Sequence, residues 1–143
     1  MDLTMSKEER TTFLMASPRV GVLSIDAPGR GPVSSPLWFV VEPDGGFAFS
    51  VAPDSRKAEL MTRAGRGTMC VQSEVAPYSY VVVEGPVENR GAAADEFRRD
   101  MAFRYLGPEL GEVYFQGVKD EPNVTFVLRP QRWATLDYNK LFA

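Results

Sequence analysis

Histidine is absent from the 143 residues of this chain, and cysteine occurs once. The first absence excludes Ser-His-Asp and Cys-His catalysis and every histidine-ligated zinc or haem centre. The second excludes an intrachain disulfide, and one thiol without histidine cannot assemble a soft metal site. That cysteine, Cys70, stands in the apolar run Met69-Cys70-Val71 and reads as a packed thiol rather than a nucleophile. Positive charge is not in excess: 16 Lys and Arg against 19 Asp and Glu leave a net charge of -3. That balance opposes an electrostatic grip on nucleic acid or on an anionic membrane. No apolar run is long enough to span a bilayer, and the opening Met1-Asp2-Leu3-Thr4-Met5-Ser6-Lys7-Glu8-Glu9-Arg10 is too charged for a secretory signal. The expectation is a soluble protein in a reducing, cytoplasmic compartment. If the chain is an enzyme, its chemistry belongs to a bound organic cofactor.

What is present is an ordinary globular composition, 44% hydrophobic and 24% charged, at the length of one domain spanning residues 1–143. No repeat, linker or low-complexity tract divides it. Ser6-Lys7-Glu8-Glu9 is a capping-box pattern that opens a helix running to about Ser17, where Pro18 stops it. Strands follow over 20–26 and 32–41, the second with Pro36 inside it, which marks an edge or a bulge where backbone can turn toward a ligand. Trp38 stands two residues on, on the same face; core packing and a pocket border both suit it. Pro43-Asp44-Gly45-Gly46 is a hairpin turn into a third strand. A helix with Ala58, Met61 and Ala64 on one side ends at Gly65. Strands over 67–73 and 79–87 come next, and then a helix over 92–106 with Ala94, Phe97, Met101 and Tyr105 at helical spacing. Asp95, Glu96, Arg98, Arg99 and Asp100 read as its solvated face. Residues 107–122 carry no decisive pattern, and Tyr114 and Phe115 would anchor either a lid or a short helix. Strands over 124–129 and 132–138 close the chain. Strands run consecutively instead of alternating with helices, so an antiparallel barrel of six or seven strands with about three helices is expected.

The stretch from Phe47 to Met61 is the most informative. Phe47, Phe49 and Val51 alternate with small residues as in a half-buried strand, and Pro53-Asp54-Ser55 supplies a turn and a helix N-cap. Arg56 and Lys57 then occupy the first helical turn, where the helix dipole penalises each cation by a few tenths to about 1 kcal/mol. A docked anion reverses the penalty, because a Ser hydroxyl, backbone amides, a guanidinium and an ammonium then converge on it. Phosphate is the anion that suits them. The alternative is two solvated side chains.

Three pieces of sequence carry a resemblance to a known family. Gly31-Pro32-Val33-Ser34-Ser35-Pro36-Leu37-Trp38-Phe39 is similar to its second strand. Phe49-Ser50 with Ser55-Arg56-Lys57 looks like its phosphate clamp. Tyr78-Ser79-Tyr80-Val81-Val82-Val83-Glu84-Gly85-Pro86-Val87-Glu88 is similar to a later strand. In this order and spacing they resemble the pyridoxamine-phosphate-oxidase-like split β-barrel superfamily. The resemblance implies a homodimer with FMN, or the deazaflavin F420, in a groove at the subunit interface. Carried over, Ser50, Ser55, Arg56 and Lys57 would bind the cofactor phosphate. Ser35, Pro36, Leu37 and Trp38 would lie along the ring, and Tyr78 and Tyr80 would reach the groove from the fifth strand.

The chain also departs from that pattern. Its C-terminal residues 133–143 lack the Arg- and His-containing substrate motif of true pyridoxamine phosphate oxidases. The shorter plain barrel looks more like the F420-dependent reductase branch, which passes a hydride to a small electron-poor organic acceptor. An FMN-dependent oxidoreductase, a non-catalytic flavin or F420 binder, and a ligand-free interaction dimer are the alternatives. Catalytic residues are not identified at this level: the proton would come from a tyrosine such as Tyr78 or Tyr80, or from water, and the two tyrosines serve equally as interface packing.

Overall fold

A computed structural model describes all 143 residues. It contains eight strands and three helices in the order α1 (Lys7–Ala16), β1 (Gly21–Ile25), β2 (Val33–Leu37), β3 (Val40–Val41), β4 (Phe47–Val51), α2 (Arg56–Ala64), β5 (Arg66–Ser73), β6 (Ser79–Ala92), α3 (Asp95–Val118), β7 (Val124–Leu128) and β8 (Arg132–Asp137). A short 3-10 turn over Tyr138–Leu141 ends the chain.

Every strand pairing is antiparallel, and the neighbours run β2-β1-β5-β6-β7-β4-β3, with β8 added to β6. The two strands at the ends of this path, β2 and β3, are consecutive in the chain and separated only by Trp38 and Phe39. The sheet therefore curls back on itself and stays unpaired at one seam: a split barrel. The expected single strand over 32–41 is two strands because the chain bends at this seam, which raises the count to eight.

Strand β6 makes the curl possible. Its first part lies between β5 and β8, and from Val87 it pairs with β7 instead. At the changeover, a Cβ on Gly85 would run into the backbone carbonyl of Arg129 on the β7–β8 connection. Only glycine allows that approach. The interior is filled from the strands' inward faces. Phe39 stacks on Phe47 with ring centroids 5.4 Å apart, and Phe49 stacks on Phe126 at 6.4 Å. All four rings are fully buried.

The capping box of α1 forms as read, with Ser6 Oγ accepting from the Glu9 amide and Glu9 accepting from the Ser6 amide. Helix α2 buries Ala58, Leu60 and Met61 and ends at Gly65 in the left-handed conformation. Ala64, expected on its inner side, is exposed because the helix terminates there.

The largest departure is α3. It continues past residue 106, but Gly107 (φ 82°, ψ 173°) breaks it and Pro108 starts a second arm. Contacts between the arms show that they run antiparallel. Arg99 pairs with Glu112 at 3.1 Å and lies over the Phe115 ring. A Cβ on Gly111 would come within 3.0 Å of the Ala102 backbone, so the arms touch there. Arg98 donates to the carbonyls of Val118, Lys119 and Glu121 at the far end. Residues 95–118 are thus a helical hairpin folded against the barrel seam.

Candidate functional site

The strand-to-helix turn after β4 has the geometry expected of it. Ser55 caps α2, its hydroxyl oxygen accepting from the Ala58 amide at 3.2 Å. Lys57, in the first turn, reaches back toward β2 and donates from Nζ to Ser35 Oγ at 3.1 Å. No carboxylate lies within ion-pair distance of Lys57 or Arg56. Both cations oppose the helix dipole, and Glu59 is the one acidic residue in the same turn.

Lys57 opens into a cleft of about 350 Å³ between the end of β2, the start of α2 and the α3 hairpin. Its lining combines the polar Lys57, Ser50, Arg98 and Asn123 with the apolar or aromatic Leu37, Trp38, Met101, Tyr114 and Val118. Of the residues singled out in the sequence, Pro36, Leu37, Trp38, Ser50 and Lys57 line this one cleft. Ser35 joins through its bond to Lys57, and Ser55 stands at the helix start as its cap. Arg56 is exposed and lies outside the cleft lining.

Tyr78 and Tyr80 lie elsewhere in the chain. They line a smaller depression of about 250 Å³ on the outer face of the sheet, with Gln72. Three strand spacings separate β2 from β6, about 14 Å. On this same face, register places Pro36, Val22, Cys70, Val82 and Ala134 in one row across β2, β1, β5, β6 and β8. The row is apolar and partly exposed; Val22 is 39% accessible. Cys70 is half-buried in it, and burial pushes its thiol above the ordinary range, consistent with an unreactive packed group.

Three cleft features were not legible as such in the sequence. Tyr105 stacks under Trp38, their rings 7° from parallel and 5.1 Å apart. Its hydroxyl accepts from the Phe39 amide at 3.1 Å and lies within 2.9 Å of the Phe39 carbonyl and 2.8 Å of the Arg19 carbonyl. Tyr114 packs tilted on Trp38 at 5.1 Å from the second arm of α3. Arg98, expected on a solvated face, is half-buried because it caps that arm, and it lines the cleft floor. The signal for all three was Gly107-Pro108, a left-handed stop followed by the residue favoured at a first helical position.

A phosphate fits beside Lys57 and Ser50. The Lys57 ammonium has one neutral partner, the Ser50 hydroxyl has none in the protein, and both adjoin the amide end of a nine-residue helix. No helix is long and apolar enough to cross a membrane.

Comparison with known proteins agrees with this fold. Solved structures similar to the chain include a conserved hypothetical protein from Mycobacterium tuberculosis, 19% identical, with a TM-score of 0.76 over 100% of this chain and 92% of that one. An F420 reductase is 22% identical, with a TM-score of 0.66 over 86% of this chain and 94% of its own. A FAD-binding protein from Mesorhizobium loti is 23% identical, with a TM-score of 0.67 over 92% and 93%. At these identities the likeness is one of fold. No curated protein matches the chain. The family model described as pyridoxamine 5'-phosphate oxidase matches residues 6–137. Nearly the whole barrel is covered by that match, and the chain belongs to the pyridoxamine 5'-phosphate oxidase family.

Proposed function

We propose that the protein is an F420-dependent oxidoreductase acting on a small electron-poor organic acceptor. The observation that carries this reading is Lys57: a cation in a cleft beside Trp38, held by Ser35 Oγ at 3.1 Å and answered by no carboxylate. Lys57, Ser50 and the capped start of α2 hold the cofactor phosphate, and Ser55 can donate its own hydroxyl proton while its oxygen serves as cap. Ser35, Pro36, Leu37 and Trp38 offer an edge for the ring. When bound, the reduced cofactor would supply a hydride, and one proton from solvent would complete the reduction of the acceptor. The chain's part is to bind, to orient and to exclude water. No catalytic side chain is assigned.

The working unit is a homodimer. The apolar row Pro36, Val22, Cys70, Val82 and Ala134 supports an interface between copies on the outer face of the sheet. Pro36 belongs both to this row and to the Lys57 cleft, so a second copy seated there borders the cofactor. Tyr78 and Tyr80, remote from Lys57 within one chain, then come to the groove from the second copy. Arg56, exposed in the same helical turn as Lys57, is the second cation offered to the phosphate.

FMN is the second reading, favoured by the flavin chemistry of the matched family; the same clamp serves its phosphate. A binder without turnover uses the same residues again. Titration of the apo-protein with F420 and, separately, FMN distinguishes the cofactors through tryptophan fluorescence. Tighter binding of F420 and its oxidation on addition of an acceptor are the expected results. Tighter FMN binding overturns the choice of deazaflavin, binding without turnover overturns the enzyme, and no binding of either overturns the cofactor reading altogether. The compartment expected is the cytoplasm.

A further inference from the structure

Strand register fixes which residues share the outer face of the sheet, and that face changes character along the strands. The apolar row Pro36, Val22, Cys70, Val82 and Ala134 has a neighbour on each side. Two residues away in one direction lie Ser34, Ser24, Thr68, Glu84 and Arg132. This row is polar: the Ser24 and Ser34 hydroxyls share a hydrogen bond at 2.8 Å, and Arg132 stands 3.8 Å from Glu84. Two residues away in the other direction lie Gln72, Tyr80 and Leu136, with Val20 and Trp38 just beyond the ends of β1 and β2. Apart from Gln72, this third row is aliphatic or aromatic.

Two copies packed face to face on the apolar row can be related by a two-fold axis along the rows or along the strands. An axis along the rows lays the polar row of one copy on the Tyr80–Leu136 row of the other. Glu84 and Arg132 would then be buried against aliphatic and aromatic side chains, at a heavy desolvation cost. An axis along the strands reverses strand order and leaves each row on its own kind. Strand β5, the middle of the five, then lies on its own copy, and Val22 meets Val82. The Ser24 and Ser34 hydroxyls face Glu84 and Arg132, with which they can hydrogen-bond. Only this axis makes the face complementary to itself.

The choice has a consequence at the cleft. Leu37 and Thr135 stand in one row, so β2 and β8 finish at the same end of the sheet, four strand spacings or about 19 Å apart. Reversed strand order brings the end of β8 in one copy beside Trp38 in the other. The turn after β8 carries Leu141 and Phe142, 51% and 77% accessible. The second arm of α3, which packs on Trp38 through Tyr114, carries Leu110 and Val113, 64% and 71% accessible. Each apolar pair is uncovered in its own chain.

We infer that the two-fold axis runs along β5 through Cys70, and that Leu141 and Phe142 of one copy cover Leu110 and Val113 of the other, adding a wall to its cleft. This rests on the homodimer proposed above, and the test needs no cofactor, so the cofactor reading stands or falls separately. Chains with one cysteine each are made in a Cys70→Ser background, one of each pair tagged, expressed alone and together, and treated with a short bismaleimide. Val22→Cys and Val82→Cys are expected to give a covalent dimer only when co-expressed, and so are Val113→Cys and Leu141→Cys. All four side chains point outward, so the fold is retained. Leu141→Ser with Phe142→Ser is expected to raise the dimer Kd about tenfold to a hundredfold. Linking of Val22→Cys to itself, which an axis along the rows requires, overturns the strand axis. A link through the first pair without the second, or an unchanged dimer Kd, overturns the cover over α3. No link in any combination, with dimers still seen by light scattering, overturns this packing of the face. A monomeric wild type overturns the homodimer itself and this inference with it.

Discussion

The Tyr105 hydroxyl stands within hydrogen-bonding distance of both backbone groups of Phe39, 3.1 Å from its nitrogen and 2.9 Å from its oxygen. Phe39 lies at the barrel seam, between β2 and β3, where no neighbouring strand meets those groups. One phenol from the α3 hairpin therefore does for Phe39 what a strand would do elsewhere. The same ring supports Trp38 from below, so the seam and the cleft wall share one anchor.

Tyr105→Phe is expected to leave the ring stack in place while orphaning the buried Phe39 amide. The cost is about 1–3 kcal/mol, the penalty for a buried donor left unpaired. Equilibrium denaturation in urea measures it; a loss under about 0.5 kcal/mol would mean that water satisfies the seam.

The same phenol gives the stability an alkaline limb. Burial raises the Tyr105 pKa above the ordinary 10.0, partly offset by the Phe39 amide, which favours the phenolate. The folded state then holds a proton that the unfolded chain releases first. This stabilisation is intact below pH 10 and declines as pH rises through the raised folded value. The stability gap between wild type and Tyr105→Phe should narrow above pH 10 in matched denaturation series. A gap that stays constant there would place the Tyr105 titration at its unfolded value.

Gly85→Ala tests the strand crossing. The new methyl meets the Arg129 carbonyl, a backbone group that cannot turn aside as a side chain can. A loss of about 4 kcal/mol or more, or failure to accumulate folded protein, is expected. A mild change in the thermal midpoint would contradict the close approach.

Val22→Glu tests the proposed dimer. It places a carboxylate in the exposed apolar row, between Pro36 and Cys70, on a face that needs no core rearrangement. Light scattering after size exclusion should show a dimer in the wild type and a monomer in the variant, with cofactor affinity falling alongside. A variant that stays dimeric moves the interface to another face.

Much of this fold was legible because the local signals agree with one another. The Ser6–Glu9 box, the Pro43–Gly46 turn and the Ser55 cap each depend on neighbours within four residues, and each is present as read. Lys57 was legible for a different reason: a cation in a first helical turn is a local conflict, and such conflicts mark sites where something outside the chain supplies the balance. The α3 hairpin was not legible, because Arg98 and Arg99 look like solvent-facing residues until Gly107 turns the chain and supplies carbonyls and Glu112 for them to meet. Tyr105 and Tyr114 were hidden by the same fold-back. The separation of Tyr80 from Lys57 follows from strand order across β1 and β5, which no local pattern encodes.

The most direct test of the central claim is the cofactor affinity of Lys57→Ala, measured by tryptophan fluorescence with F420 and with FMN. Loss of a charge-assisted contact should weaken binding of the phosphate-bearing cofactor about tenfold to a hundredfold. Stability should hold or rise by a few tenths of a kcal/mol, because a cation leaves the positive end of α2. Unchanged affinity, or a loss seen only with Arg56→Ala, would contradict a phosphate held at Lys57.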